Sequence, residues 1–419
     1  MNRTTDSTID KVDITVGDAR IQGSCDSAFA ELRDEFINNF ASRAELGASL
    51  CLSVAGTIRV DLWGGFADAA RVVPWQPDTV SVVFSCTKGA TALCAQLQID
   101  RGLLDLHAPV GRYWPEFGRG AKAQTTVAML LNHSAGVPAL REPVKPGGYY
   151  DWEYMIERLA AEEPFWEPGT RNGYHMMTFG WTVGELVRRT SGKSLGDFFR
   201  DEVAAPLGID FWIGLPEDIE PRVAPMIAFR PAKDAPRGDF TRALVADPAS
   251  IPALALLNSG GHKTDSRAAH AAQIGAGGGI TNGRGLAGMY RPLANQGIAA
   301  GTRFIGNDTI LRMGQVSVAT LRDATLQIPT RFGLGFMKSM DNRHEPAGNT
   351  DSAILGEKAF GHVGAGGSIG FADPEHELAF GYSMNRMGPG ILLNERGQAL
   401  VDAAYRSLGC TGNAGGVWA

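Results

Sequence analysis

The stretch Val80-Ser81-Val82-Val83-Phe84-Ser85-Cys86-Thr87-Lys88 decides how the rest of the chain is read. Val80–Phe84 is a short apolar, strand-like run that leads directly into Ser85. After Ser85 the period changes: Ala90, Leu93, Cys94 and Leu97 recur at i, i+3, i+4 and i+7, and Gly102 closes the pattern as a helix would close. A serine at a strand-to-helix junction lies beside the first-turn N–H groups, which favour developing negative charge. Lys88, three residues on, falls on the same helix face. A hydroxyl is a poor nucleophile without a base in reach, and a desolvated lysine can be that base. S-x-x-K alone is a weak signal, because Ser85 as a helix N-cap with Lys88 in solvent would look the same.

Outward from this stretch, Phe29, Leu32, Phe36 and Phe40 fall at helical spacing within Ser24–Leu46, with Gly47 as a C-cap. Two strand-like runs follow, Ala48–Ala55 and Ile58–Gly64, turning at Gly56-Thr57; Ile58, Val60 and Leu62 predict one buried face. Downstream the patterns are helical, with breaks at several prolines; Thr178–Arg189, Leu195–Val203 and Gly285–Asn295 are the clearest helices, and Met226–Ser266 is irregular and unassigned. Near the end, Gly367–Asp373 and Glu377–Met384 predict strands joined by Pro374-Glu375-His376, then a helix over Arg396–Leu408. Strands at both ends imply one sheet domain from residues 1–100 and 300–419, with 101–299 as a mostly helical insertion.

Hydrophobic residues make up 44% and charged residues 20% of 419, the composition of a globular chain. A net charge of −6 with no dense basic run argues against a nucleic-acid partner. The polar start Met1–Asp6 lacks the apolar stretch of a secretory signal, and no window approaches a membrane span. Five scattered cysteines without a CxxC pair predict reduced thiols in a cytoplasmic protein and no metal site.

Two further motifs carry chemistry. Glu167-Pro168-Gly169-Thr170 leads to Tyr174-His175-Met176; a tyrosine there could relay a proton if cations hold its pKa down, although a half-buried core tyrosine is the commoner case. Gly361-His362-Val363-Gly364-Ala365-Gly366-Gly367 precedes a strand, and such glycine density lets backbone approach a ligand.

In order and spacing these motifs resemble the penicillin-binding protein and class C β-lactamase superfamily, and within it the family VIII carboxylesterases, from about Ala48 to Arg386. Leu131-Asn132-His133-Ser134-Ala135-Gly136-Val137-Pro138 and Gly277-Gly278-Gly279-Ile280 look like structural segments of that group. The resemblance implies an α/β (α+β) fold of the β-lactamase/transpeptidase type, an antiparallel sheet flanked by helices plus an inserted helical domain, with the site between them. It implies Ser85 as nucleophile, Lys88 and Tyr174 as its proton partners, and an oxyanion hole from the N–H groups of Ser85 and Ala365. It implies no cofactor.

Two positions depart from the β-lactamase pattern. Met176 stands where those enzymes keep an asparagine, and His362 where they keep the lysine of K-T-G. Losing the amide and the fixed positive charge favours small neutral esters over β-lactams. The expected activity is therefore serine carboxylesterase. A β-lactamase or D-amino-acid peptidase, an acyltransferase or amide hydrolase, and an inactive scaffold on the same fold are the alternatives. His362, Gly364 and His175 are candidate substrate contacts. Trp152 and Trp166 are candidates for an acyl or alcohol pocket, or else helical-domain core.

Two decoys are set aside. Gly366-Gly367-Ser368-Ile369-Gly370 matches the nucleophile elbow G-x-S-x-G, but that elbow needs a helix after the serine, and here a strand end and turn follow. Cys86 is rotated away from Lys88 on the helix.

Overall fold

The computed structural model describes residues 8–419. The polar start Met1–Asp6 lies in residues 1–7, outside the described part. In chain order the elements that position the site are β1 (Ile9–Val16), β2 (Ala19–Asp26), α1 (Ala30–Ser42), β3 (Gly47–Val54), β4 (Thr57–Gly65), β5 (Ser81–Val82) and α2 (Cys86–Asp100). They continue with α3 (Trp152–Ala161), α4 (Thr178–Ser191), β6 (Phe211–Ile213), α5 (Asp239–Ala246), α6 (Ile251–Leu257), β7 (Gly279–Thr281) and α7 (Gly283–Ala294). The last are β8 (Phe360–Val363), β9 (Ile369–Asp373), β10 (Leu378–Met384) and α8 (Glu395–Ser407).

One seven-stranded antiparallel sheet runs β1-β2-β4-β3-β10-β9-β8, drawn from both ends of the chain. A three-stranded sheet, β5-β7-β6, carries the approach to Ser85. Leu32 and Phe36 of α1 and Leu400, Val401 and Ala404 of α8 are buried in one core with Leu50, Leu62, Phe371 and Phe380 of the sheet. Each large side chain buried this way contributes about 1.5–3 kcal/mol. α7 packs against β3, β9 and β10. It comes close because Gly283 and Gly381 carry no side chain: a Cβ on Gly381 would lie 2.3 Å from the Gly283 carbonyl oxygen. α7 thus belongs with the sheet by packing, although it falls inside the 101–299 span. The second core gathers α2, α3 and α4, and α2 is enclosed on all sides, with every residue from Cys86 to Gln98 buried.

The structure departs from the periodicity in places with clear physical causes. Residues 24–26 belong to β2, and α1 ends at Ser42, followed by Ala44 at φ +53°; Gly47 is therefore no cap but the start of β3, where Phe66 oxygen leaves no room for a Cβ. The pairing of β3 with β4 shifts register between Leu52 and Ser53. That bulge puts Ile58 out at 40% exposed while Val60 and Leu62 stay fully buried. The unassigned Met226–Ser266 segment holds α5 and α6, which meet at 84°. Among the described residues no single helix is long and apolar enough to cross a membrane.

Candidate active site

Ser85 stands one residue before α2. It is aimed by Phe84, whose φ of +45° is costly for a residue with a Cβ, about 1–3 kcal/mol. The turn is held from both sides: the Thr87 N–H and hydroxyl donate to the Phe84 carbonyl, and the Val83 N–H donates to the Gly279 carbonyl of β7 at 2.9 Å. Strain held this way at a serine is a common mark of a reactive position.

Lys88 is fully buried, and its Nζ has three partners: Ser85 Oγ at 3.1 Å, the Met176 carbonyl at 2.6 Å and the Ala276 carbonyl at 2.8 Å. Among the described residues no carboxylate pairs with it, and burial drives its pKa well below the usual lysine range. A neutral amine has two N–H bonds and one lone pair. With both carbonyls occupied by N–H, the lone pair is left for the Ser85 hydroxyl. Met176, the departure from Y-x-N, supplies its main-chain carbonyl where an amide was expected, so Lys88 is held without the asparagine.

Tyr174 is set by a residue the motifs did not reveal. Its N–H is shared between Asp323 Oδ1 at 2.9 Å and Oδ2 at 3.0 Å. The same buried carboxylate accepts from the N–H groups of Thr325 and Leu326 and from the Thr330 hydroxyl. The only sequence signal is Asp323-Ala324-Thr325, the spacing of an aspartate that closes its own turn. The Tyr174 ring stacks on Phe332 at 5.8 Å, and Lys88 Nζ lies 4.7 Å from its centroid. Burial pushes the pKa of its hydroxyl up, against the opposite pull of Ser85, so Tyr174 is a neutral phenol and not one whose pKa cations hold down. His362 Nδ1 donates to the Val363 carbonyl at 2.7 Å, which leaves Nε2 as an acceptor 3.5 Å from the Tyr174 hydroxyl. Burial, then the nearby lysine, pushes His362 down to about 3, so it carries no charge near neutral pH.

Ser85, Tyr174 and Ala365 open into one cavity of about 370 Å³. Its walls are mostly apolar: Phe84, Met176, Met177, Leu326, Met337, Val363 and Ile391, with Phe240 of α5 and Leu256 of α6. Ser259, His262 and Thr264 add a polar margin. Phe240, Leu256 and His262 went unseen because their segment has no clear period.

Four expected substrate contacts are not among the residues that line the cavity. Trp152 donates its Nε1–H to Glu185 at 2.9 Å and packs on Gly184; Trp166 donates to the Ser134 carbonyl at 3.1 Å and meets the His175 ring edge-on. Neither tryptophan lines the cavity. His175 accepts from the Val137 N–H at 3.1 Å and donates to the Gly173 carbonyl at 2.8 Å, both nitrogens spent on backbone. Gly364 donates to the Ser368 carbonyl at 2.7 Å and is the close-approach point of the β8 end, where a Cβ would lie 2.3 Å from the Val83 oxygen. The decoys are structural too. Ser368 is fully buried and donates to the Val83 carbonyl, while Cys86 donates to the His362 carbonyl and burial pushes its thiol up to about 12.

Fold and site together define a serine hydrolase scaffold, with a buried lysine against the serine. The beta-lactamase family model matches residues 26–404, and the chain belongs to that family. It is 35% identical to "Esterase/beta-lactamase LipL" of Mycobacterium tuberculosis over 88% of this chain and 83% of that protein. Among solved structures, a family VIII carboxylesterase is 39% identical with a TM-score of 0.81, covering 92% of this chain and 99% of that one. A penicillin-binding protein homolog from Caulobacter crescentus is 33% identical with a TM-score of 0.82 over the same shares.

Proposed function

We propose that the protein is a serine carboxylesterase that hydrolyses small neutral esters through an acyl-enzyme on Ser85. The observation that carries the mechanism is the environment of Lys88: two carbonyls take its N–H bonds, and Ser85 Oγ faces what remains. In this reading Lys88 accepts the Ser85 proton as Oγ attacks the ester carbonyl. The tetrahedral oxyanion is held by the N–H groups of Ser85 and Ala365, each worth about 3–4 kcal/mol when well placed. Tyr174, a neutral phenol against Ser85, donates its proton to the leaving alcohol and is resupplied through Lys88. Water then repeats the cycle on the acyl-enzyme. His362 acts on Tyr174 and not on substrate, since its free nitrogen faces the phenol.

The substrate class follows from the walls. An apolar cavity of about 370 Å³ without a fixed cation suits an uncharged ester better than an anionic β-lactam or peptide carboxylate. The similar family VIII carboxylesterase supports an ester, while the name of LipL carries both esterase and beta-lactamase. The reading includes a sheet unit from both ends of the chain, with α7 assigned to it, and a helical unit between. It also includes a cytoplasmic location, supported by five cysteines, all of them free.

The test is p-nitrophenyl butyrate hydrolysis by wild type and Ser85→Ala. Activity lost in the variant supports Ser85 as nucleophile; equal activity in both rejects it. A wild type that turns over a chromogenic cephalosporin faster than the ester rejects the substrate class.

A further inference from the structure

Away from the cavity, three side chains from two elements line up as nucleophile, base and orienting carboxylate. Cys410 Sγ lies 3.3 Å from His376 Nε2, and His376 Nδ1 lies 3.1 Å from Asp373 Oδ2. Asp373 ends β9, and along that strand it is about 13 Å or more from the catalytic end at Ile369. None of the three takes part in the chemistry proposed for Ser85.

Both halves of the arrangement are held rigidly. On the strand side, Asp373 Oδ1 closes its turn on the Glu375 N–H at 3.0 Å, and Oδ2 also accepts from the Tyr405 hydroxyl at 2.8 Å. His376 stands edge-on to the Tyr405 ring. On the other side, Gly409 at φ +92° ends α8, and the Cys410 N–H returns to the Tyr405 carbonyl at 3.1 Å. The cysteine is thus set by a helix cap, not by a loose tail. It is half-buried, whereas Cys25, Cys51, Cys86 and Cys94 are buried. Cys410 meets Nε2 and Asp373 meets Nδ1, so the two groups sit on opposite ring nitrogens and form a relay.

We propose that Asp373, His376 and Cys410 form a base-assisted thiol at which small disulfides modify the protein. As Cys410 Sγ bonds to one sulfur of the disulfide, its proton passes to His376 Nε2. The disulfide's S–S bond breaks, its second sulfur departs as a thiolate, and the imidazolium returns its proton to solvent. The product is a mixed disulfide on Cys410, with no other oxidant needed.

The surroundings explain why the base matters. Burial, Asp373 and Glu375 all push the Cys410 thiol up, so an unassisted thiol here would hold little thiolate near neutral pH. Asp373 raises the His376 pKa and fixes its tautomer, which makes Nε2 a stronger acceptor. The titratable groups facing the thiol are Asp373, Glu375 and His376 from the turn and, through Asp373, Tyr405 of α8.

The test uses the full chain and dithiobis-nitrobenzoate, an aromatic disulfide whose departing thiolate is coloured. One equivalent should be released quickly near neutral pH, with the adduct at Cys410 by peptide mass, and Cys410→Ser should remove that phase. His376→Asn should slow it by at least about 10-fold, the remainder coming from the small thiolate fraction. Glu375→Gln should not slow it. In wild type the rate should fall as pH drops through the imidazole range, a measurement that stands even if His376→Asn fails to fold. A fast phase mapping to another cysteine, an unchanged rate in folded His376→Asn, or a rate that only rises with thiol ionisation into alkaline pH would each overturn the proposal. Esterase activity is read separately, so the two readings fail independently.

Discussion

Asp323→Asn and Asp323→Ala together test whether one buried carboxylate positions Tyr174. The carboxylate accepts from three backbone N–H groups, those of Tyr174, Thr325 and Leu326, and from the Thr330 hydroxyl. In Asp323→Asn the amide oxygen can occupy the Oδ1 position and keep all three N–H groups. The amide NH2 then replaces Oδ2 and can donate to the Thr330 hydroxyl. What is lost is one arm of the shared Tyr174 bond and the charge assistance, about 1–2 kcal/mol. Relief of burying a charge offsets part of that, since burial already raises the Asp323 pKa. Asp323→Ala instead strands three buried N–H groups at about 1–3 kcal/mol each, comparable with the whole stability of a domain. Urea denaturation with p-nitrophenyl butyrate kinetics reads both. Asp323→Asn should fold, lose about 1 kcal/mol and lose kcat more than it raises KM; Asp323→Ala should be largely unfolded. A stable, fully active Asp323→Ala protein would refute the reasoning.

Gly364→Ala should lower kcat sharply, because its Cβ would meet the Val83 oxygen at 2.3 Å and push on the strand that delivers Ser85; an unchanged kcat would show that this backbone yields freely. Phe240→Ala and Leu256→Trp should alter the octanoate-to-butyrate ratio of kcat/KM by about 10-fold, whereas Trp152→Ala should leave that ratio alone and lower stability through Glu185. Stability should fall between pH 6.5 and about 5. His175 and His362 are pushed by burial to about 4 and about 3, so the unfolded chain takes up their protons first, at up to about 1.4 kcal/mol per pH unit each. Equal urea midpoints at the two ends of that window would contradict this. Activity should also decline on acidification as Lys88 protonates, and the decline should follow kcat/KM; a flat acid limb would remove Lys88 as the base.

The pairing of Ser85 with Lys88 was readable because S-x-x-K sits where a strand-like run ends and a helical period begins, a change visible in the residues. β3, β9 and β10 are buried on both faces, whereas β4 was legible through the alternation of Val60 and Leu62. Asp323 was not, since its role is to accept backbone N–H groups, and nothing in a sequence says which loop's amides will meet it. Proximity to Tyr174 along the chain leaves the tryptophans open between pocket and helical-domain core, and Trp152 faces Glu185 and Gly184, contacts that only packing decides. Ile58 fits the alternation but is turned out by a bulge. Phe240 and Leu256 come from a segment whose two short helices meet at a steep angle, so no single period runs through it.

The pairing of β3 with β10 sets a timetable for synthesis. Ser49 and Ser383 touch across that pair at 3.0 Å, yet 334 positions separate them. At about 5–20 residues per second, the early half of the sheet waits roughly 20–70 s on the ribosome before its neighbour emerges. Through that interval the β3 edge has no strand to join, and an open edge invites pairing with other chains. The cavity is equally late, since the Val363–Ala365 wall arrives with the same strands. Truncated products that end before β8 should therefore lack esterase activity even with Ser85, Lys88 and Tyr174 already made.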